Sequence, residues 1–485
     1  MDWDINNEMN ENEGLSSENE RLLKSFLNEM EKKNLPDHDG NDDLAPYHYE
    51  EPEHDPNIDK KIKHLQQITR AIERKPTVSF DLAQIKQNSY KINYLDSLNR
   101  AQLAATVLFK GPMLVIAGAG SGKTRIITYR VSFMLENGVD PGSMLLLTFT
   151  RKAAREMLAR VEKLLQTNVA DKLPGGTFHA FANYILRRYA NFLNIHPNFT
   201  IIDAEDSADI IDLLKTELKL NRTGSRFPKK NRIQEIISAS RNRMLNIHEI
   251  IEHEYSGLNE FVDQITLIAQ GYKKYKQISN VFDYDDLLEI LYEHLKRNKS
   301  FRQKLQEKYH YILVDEFQDT NILQKGIVDF LAEKHRNIMV VGDDAQSIYA
   351  FRGANYENIL KFPETFPECK VVKIEQNYRS NQAILNFTNG IIDNAKLGYK
   401  KKLFSKITRN TKPVIQKFFT QQDEAAFITD KVLELRETGI ELDQIAVLCR
   451  AAWHSNYIQT ELLRRSIPYI TVGGLRFNER RHIKD

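Results

Sequence analysis

Residues Ala117-Gly118-Ala119-Gly120-Ser121-Gly122-Lys123-Thr124 follow directly on the apolar run Met113–Ile116 and precede a helix-like stretch from Lys123 to about Leu135. A glycine-rich turn between strand and helix is built to cradle phosphate. Its glycines let successive N–H groups point inward, and the helix N-terminus adds positive field. In this pattern Lys123 reaches the outer phosphates and the Thr124 hydroxyl sits on Mg2+. The strict pattern begins with Gly where Ala117 stands, but the Gly-Lys-Thr core is intact. The octapeptide therefore predicts a nucleoside triphosphate site, against the plainer alternative of an ordinary turn.

A second group able to do chemistry is Tyr311-Ile312-Leu313-Val314-Asp315-Glu316, an apolar strand that ends in paired acids. Alone, such a pair is a solvated strand end. Downstream of a phosphate-binding loop it predicts Asp315 on Mg2+ and Glu316 as the general base that positions and deprotonates water. Two further blocks follow: Gly342-Asp343-Asp344-Ala345-Gln346-Ser347-Ile348-Tyr349-Ala350-Phe351-Arg352-Gly353 and Gln376-Asn377-Tyr378-Arg379-Ser380.

With these blocks in order, the chain resembles a superfamily 1 DNA helicase of the UvrD/Rep type, continuously from Leu98 to the last residue. The resemblance implies an α/β fold: a P-loop RecA-like parallel-sheet domain with a helical insertion, plus a partial second RecA-like domain. It implies an ATP-dependent helicase or translocase moving 3′ to 5′ on single-stranded DNA and at single-strand/duplex junctions, with ATP and Mg2+ as cofactors and DNA repair among its settings. Gln102 would read the adenine edge, since an amide donates and accepts at once. Tyr378 would stack on adenine, and Arg125 resembles a base-contacting arginine. Gln346 would sense the γ-phosphate, and Arg379 would meet charge developing in the transition state. Asp344 and Arg352 would help couple these sites.

For DNA, Thr148-Phe149-Thr150-Arg151-Lys152 and Gly176-Thr177-Phe178-His179 resemble the family's strand-contacting blocks. Phe149, Thr150, Arg151, Thr177, His179, Tyr349, Phe351 and Arg352 are the DNA-contacting expectations. Of these, Phe149, Tyr349 and Phe351 would offer stacking faces worth ~1–3 kcal/mol each. The family usually has Trp where Phe351 stands, which lowers the stacking area there. Phe282-Asp283-Tyr284-Asp285-Asp286 also matches a family block, and is read as a structural, acid-rich helix start.

The elements that must position these residues are legible as short apolar runs suited to buried parallel strands: Met113–Ile116, Met144–Phe149, Tyr311–Val314, Ile338–Val341 and Val371–Ile374. Residues 93–181 and 289–374 are assigned to the first RecA-like domain. Residues 182–288 are the helical insertion, and 375–485 the beginning of the second domain, with strands expected at Val414–Phe419, Ile445–Cys449 and Tyr469–Val472. Residues 61–92 read as a charged helical linker and 1–60 as an acidic, largely disordered tail. Within that tail, Glu18–Lys33 repeats apolar residues at helical spacing.

The net charge of +2 hides an asymmetry: residues 1–60 hold 18 acidic and 5 basic side chains, a net of −13, which leaves +15 for the remainder. A basic body fits a polyanionic partner, and the tail is a potential intramolecular competitor for it. Two isolated cysteines, Cys369 and Cys449, suggest neither a disulfide framework nor a zinc site. No apolar run approaches the ~20 residues a bilayer span needs, and the acidic start does not resemble a secretory signal; a cytoplasmic protein without membrane contact is expected. Two further family blocks, one carrying a Glu that touches DNA and nucleotide and one a second γ-phosphate arginine, have no counterpart before Asp485. That predicts an impaired motor: a truncated product, one half of a split enzyme completed by a partner chain, or a degenerate copy. The alternative class is a non-catalytic, ATP-responsive single-stranded DNA-binding subunit, or half of a split helicase.

Overall fold

Runs of four or five apolar residues without alternation must be buried on both faces, the environment of a parallel sheet covered by helices. The computed structural model of the chain builds that sheet, and describes residues 56–73, 80, 85, 90–168, 172–220, 227–350, 353–408 and 411–472. In chain order the strands are β1 (Met113–Ala117), β2 (Met144–Thr148), β3 (Gly175–Thr177), β4 (Thr200–Ile201), β5 (Val281–Phe282), β6 (Tyr311–Val314), β7 (Ile338–Gly342), β8 (Lys370–Ile374), β9 (Gln376–Asn377) and β10 (Phe404–Ser405). Six of them form one parallel sheet in the order β3-β2-β6-β7-β1-β8.

Alternate residues of each strand face opposite sides of the sheet. Leu114, Ile116, Leu145, Leu147, Ile312, Val314, Ile338 and Val340 enter one core. Met113, Val115, Ala117, Met144, Leu146, Leu313, Met339 and Val341 enter the other. The five expected strands all belong to this sheet. The sixth, β3, carries no apolar signature because its glycines are there for proximity: a Cβ on Gly175 would lie 2.8 Å from the Leu146 carbonyl oxygen. Since all six strands run parallel, the loops after β1, β2, β3, β6 and β7 emerge along one edge, where ligands of such sheets gather.

Residues 204–278 supply helices Ala204–Glu217, Lys230–Arg243, Ile247–Glu254 and Val262–Ile278 around a core of their own, which includes Ile211, Leu214, Ile233, Ile236, Ile265 and Ile268. The small β4–β5 pair ties the two ends of this region together, with Phe199 stacked on Phe282 at 4.4 Å. The acid-rich helix start after β5 is fully engaged. Asp283 and Asp286 exchange backbone bonds as a capping box, and Lys276 pairs with both at 2.5 and 2.6 Å. Arg241 pairs with Asp283, Asp286 and Glu289.

The expectation of a linker before the sheet needs correction. Pro56–Glu73 is a helix whose stripe of Leu65 and Ile72 is buried in the first core, beside partly buried Ile68. Lys61 pairs with Glu357 at 2.5 Å, His64 with Glu364 at 2.9 Å, and Gln66 Nε2 donates to the Lys396 carbonyl at 3.1 Å. Charge on the outer face masked the narrow apolar stripe. The expected Glu18–Lys33 helix, and most of the acidic tail, lie outside the described residues.

The chain divides into a unit ending at Asn410 and a second beginning at Thr411. In the second, helices Gln421–Glu437 and Ser455–Arg464 pack through Ala425, Val432, Ile458, Leu462 and Ile467. The three strands expected there do not form ladders among the described residues. Many of their apolar residues are largely exposed, among them Val414, Ile415, Phe419, Leu448, Ile470 and Val472, while Ile445 and Tyr469 pack against the helix pair and Phe418 meets Phe427. A β-prone run becomes a strand only when another backbone takes up its N–H and C=O groups. Among the described residues no helix is long and apolar enough to cross a membrane.

Candidate active site

β1 delivers the chain into a loop whose shape depends on glycine at two points, Gly120 at φ +67° and Gly122 at φ +88°. Ser121 closes the turn by donating from Oγ to the Gly118 carbonyl at 2.7 Å. Helix Lys123–Glu136 begins directly after Gly122 with no side-chain cap, so its first-turn N–H groups face the loop uncommitted. Ala117, the departure from the strict pattern, is the last residue of β1 and is packed in the second core. Its methyl group fits there, and its backbone has no positive φ to demand glycine.

Across the loop, β6 ends in Asp315, whose N–H donates to the Leu147 carbonyl at 2.9 Å. Glu316 follows in the left-handed region, φ +50°, a conformation that costs a non-glycine residue energy and aims its side chain back at the loop. Lys123 Nζ lies 3.1 Å from Glu316 Oε2. The contact is an ion pair without hydrogen-bond geometry, so the buried ammonium has no hydrogen-bond acceptor, and neither Asp315 Oδ1 nor Asp319 Oδ1 has a donor. Burial first, and the Glu316 charge second, push the Asp315 carboxyl up to about 7, while Lys123 pulls the other way. The same two causes push Asp319 up to about 6.

A buried ammonium and two buried carboxyl oxygens without partners, facing an uncapped helix start, are what a Mg2+-bound triphosphate would satisfy. Mg2+ leans on phosphate oxygens and water and needs only one or two carboxylates from the protein. Asp315 is a carboxylate of that kind, and the Lys123 ammonium nearby suits phosphate oxygens.

Residues 376–379, just past β8, lie directly on the loop. Tyr378 donates its N–H to the Gly120 carbonyl at 2.9 Å, and Asn377 Nδ2 donates to the Ala119 carbonyl at 2.6 Å. Arg379 is close enough that a Cβ on Gly120 would lie 2.8 Å from its own Cβ. The Tyr378 ring is half exposed, and its hydroxyl accepts from Asn99 Nδ2 at 2.9 Å. Gln102 is buried, and much of its amide is committed: Oε1 accepts from the Asn99 N–H and Nε2 donates to the Ser121 carbonyl at 3.0 Å. One N–H is left for any base edge. Arg125 donates to the Ser97 carbonyl at 2.8 Å and lies over the Tyr129 ring. Gln346 Nε2 donates to Asp343 Oδ2 at 2.5 Å.

The residues expected at nucleic acid emerge on the same edge of the sheet. Phe149, just after β2, and Tyr349, after β7, meet with ring centroids 4.9 Å apart, tilted by 30°. Thr150 caps the helix beginning at Arg151 by accepting from the Ala153 N–H, and Thr177 caps the next by accepting from the Ala180 N–H. Arg151 is exposed. His179 packs edge-on against Tyr284 at 5.8 Å; burial lowers its pKa, opposed by the Asp285 charge. Phe351 and Arg352 lie outside the described residues.

Sequence reasoning missed several participants. Gln318 Nε2 donates to Glu316 Oε2 at 2.9 Å and Asp319 Oδ2 at 3.1 Å, and its Oε1 accepts from the Asp343 N–H. Gln318 and Asp319 follow the Asp315-Glu316 pair within three residues, and that short spacing was the available signal. Lys401, buried against Asp343 and Asp344, carried none, being one of three consecutive lysines.

Comparison with known proteins adds an independent line. The UvrD/REP helicase N-terminal domain matches residues 98–367, and the UvrD-like helicase C-terminal domain matches residues 372–485. The ATP-dependent DNA helicase PcrA of Staphylococcus epidermidis is 37% identical over 392 residues, 80% of this chain and 52% of that protein. PcrA of Staphylococcus aureus is 36% identical over 393 residues, 81% of this chain and 53% of the relative. The chain thus spans about half the length of the curated relatives it matches.

Proposed function

The chain belongs to the UvrD/REP helicase family, and from that premise we propose that it is an ATP-dependent DNA helicase or translocase that moves 3′ to 5′ on single-stranded DNA. Residues 93–181 and 289–374 form its first RecA-like domain, 182–288 the insertion and 375–485 part of the second. Its setting is the cytoplasm and its service DNA repair, at single-strand/duplex junctions. The observation that carries this reading is the convergence of Lys123, Asp315 and Glu316 on one buried spot with polar atoms left unpaired.

In this reading Lys123 and the loop N–H groups bind the triphosphate, with Thr124 and Asp315 as Mg2+ ligands. Bound Mg2+ would neutralise charge on the β- and γ-phosphate oxygens. Glu316 takes the proton of the attacking water, held in orientation by Gln318. Arg379, in the bend after β9 that is pressed against Gly120, supplies positive charge against the negative charge developing on the leaving group. Gln346 exchanges its bond to Asp343 for one to the γ-phosphate. Phe149 and Tyr349 stack against bases while Arg151 and the cap residues Thr150 and Thr177 meet the backbone.

The test is ATP hydrolysis by purified protein with and without single-stranded DNA. Stimulation by DNA is expected, with loss in Lys123→Ala. Equal hydrolysis under both conditions would reject the coupling of ATP to DNA.

One observation favours a second reading, an ATP-responsive DNA-binding subunit completed by a partner chain. Val414, Ile415, Leu448, Ile470 and Val472 are exposed on stretches without ladder partners among the described residues. Such edges pair readily with another backbone. ATP and DNA binding without turnover until that partner is added would favour it; steady turnover by the chain alone would exclude it.

A further inference from the structure

The side chain that holds Gln346 is itself held by a residue from a different part of the chain. Lys401 is buried, its side chain only 4% exposed, and its ammonium lies 2.6 Å from Asp343 Oδ1 and 2.7 Å from Asp344 Oδ1. Adjacent carboxylates in a dry site are tolerable only with a cation between them. Burial works against the charge on Lys401, and the two acids outweigh it, leaving the ammonium harder to deprotonate than usual. The backbone around it is fitted to the same acids. Tyr399 donates its N–H to Asp344 Oδ2 at 3.0 Å, and a Cβ on Gly398 would lie 2.4 Å from that oxygen.

Asp343 is shared between this cation and the site. Its Oδ2 accepts from Gln346 Nε2 at 2.5 Å, and its Oδ1 from the Ala345 N–H at 3.1 Å. Its own N–H donates to Gln318 Oε1 at 3.0 Å, and Gln318 reaches Glu316. Contacts therefore run unbroken from Lys401 through Asp343, Gln318 and Glu316 to Lys123. Asp343 and Asp344 lie in the stretch matched by the N-terminal family domain, and Lys401 in the stretch matched by the C-terminal one.

We infer that Lys401 is a positioning residue that sets, through Asp343, how readily Gln346 turns from its own chain towards a bound triphosphate. The inference rests on the reading of Gln346 as the γ-phosphate sensor. Lys401 neutralises Asp343 at Oδ1 and so weakens its hold on the amide at Oδ2. Without Lys401, an uncompensated carboxylate grips Gln346 more strongly, and the sensor stays parked. Movement of the segment carrying Lys401 is thereby felt at the γ-phosphate position.

The experiment is equilibrium binding of Mg2+-ADP and of a Mg2+-bound non-hydrolysable ATP analogue to the full chain. It compares wild type, Lys401→Met, Lys401→Arg, Gln346→Ala and the double variant Lys401→Met/Gln346→Ala. Lys401→Met is expected to lower the preference for triphosphate over ADP by about tenfold, the size of ordinary coupling between sites. ADP affinity and stoichiometry stay unchanged, Lys401→Arg restores most of the preference, and the double variant falls no further than Gln346→Ala. Should Lys401→Met lose ADP sites by misfolding, Lys401→Met/Asp344→Asn, which removes one acid with the cation, is expected to fold and show the same loss. An unchanged preference in that variant, or losses that add to Gln346→Ala, would overturn the inference. Wild-type protein that binds neither nucleotide would overturn the site reading itself, and this inference with it.

Discussion

Lys123 Nζ stands 3.1 Å from Glu316 Oε2, where the first turn of the helix after β1 meets the bend after β6. The two residues are far apart in sequence, and the parallel sheet brings them together by putting the ends of β1 and β6 on one edge with β7 between them. The pair balances part of the charge in a site that also buries Asp315 and Asp319.

That burial has a pH signature. The Asp315 carboxyl is pushed up to about 7 from an ordinary 3.8, so the folded chain keeps a proton that the unfolded chain releases. This group's contribution to stability is therefore complete at low pH and is lost as pH rises from about 4 to about 7. Asp315→Asn removes the cost of the buried charge. Without nucleotide or Mg2+, the variant is expected to melt higher than wild type at pH 8, by a gain on the order of a few kcal/mol at most. The gain should shrink at pH 5.5, and Mg2+-dependent turnover should be lost. Equal melting temperatures at pH 8 would mean Asp315 carries no buried charge.

Two loop glycines are needed for different reasons, and substitution separates them. Gly118 has no positive φ, but a Cβ there would lie 2.3 Å from Leu403 Cδ2. Gly118→Ala is expected to weaken ATP binding by about 1 kcal/mol or more, as overpacking does, and Leu403→Ala should restore it. Gly120 sits at φ +67° with Asn377 and Arg379 against it, so Gly120→Ala should not be rescued by Asn377→Ala. Nucleotide titration of the single and paired variants reads both, and rescue of Gly120→Ala would contradict the assignment.

Much of this site could be read from residue order alone. Ala117–Thr124 and Asp315–Glu316 are compact signals because each does its work from one turn of backbone, and the apolar runs that deliver them have no other use than a buried parallel sheet. Relationships over long separations were invisible. Nothing in Lys400-Lys401-Lys402 says which lysine is buried, and nothing in Leu403 says that it roofs Gly118. The helix Pro56–Glu73 read as a linker because its polar face outnumbers the stripe that docks it. The opposite error befell Val414–Phe419, Ile445–Cys449 and Tyr469–Val472, where β-prone residues lack a ladder partner among the described residues.

The paired rings predict how DNA is gripped. Phe149→Ala and Tyr349→Ala should each weaken single-stranded DNA binding by ~1–3 kcal/mol. Since the rings touch at 4.9 Å, the double variant should lose less than the sum. Neither should alter the salt dependence, whereas Arg151→Ala should flatten the slope of log affinity against log salt by about 0.7. Fluorescence anisotropy across a salt series measures all of these; fully additive losses would mean the rings act on separate bases.

The central claim is that the Lys123 loop and the β6 acids serve one Mg2+-bound triphosphate, with the base distinct from the binding groups. The most direct measurement is ATP affinity and turnover, side by side, in Glu316→Gln. The account predicts binding within a few-fold of wild type and turnover lower by roughly 10²–10⁴-fold, the range for losing a general base. Wild-type turnover in this variant, or affinity and turnover collapsing together, would contradict it.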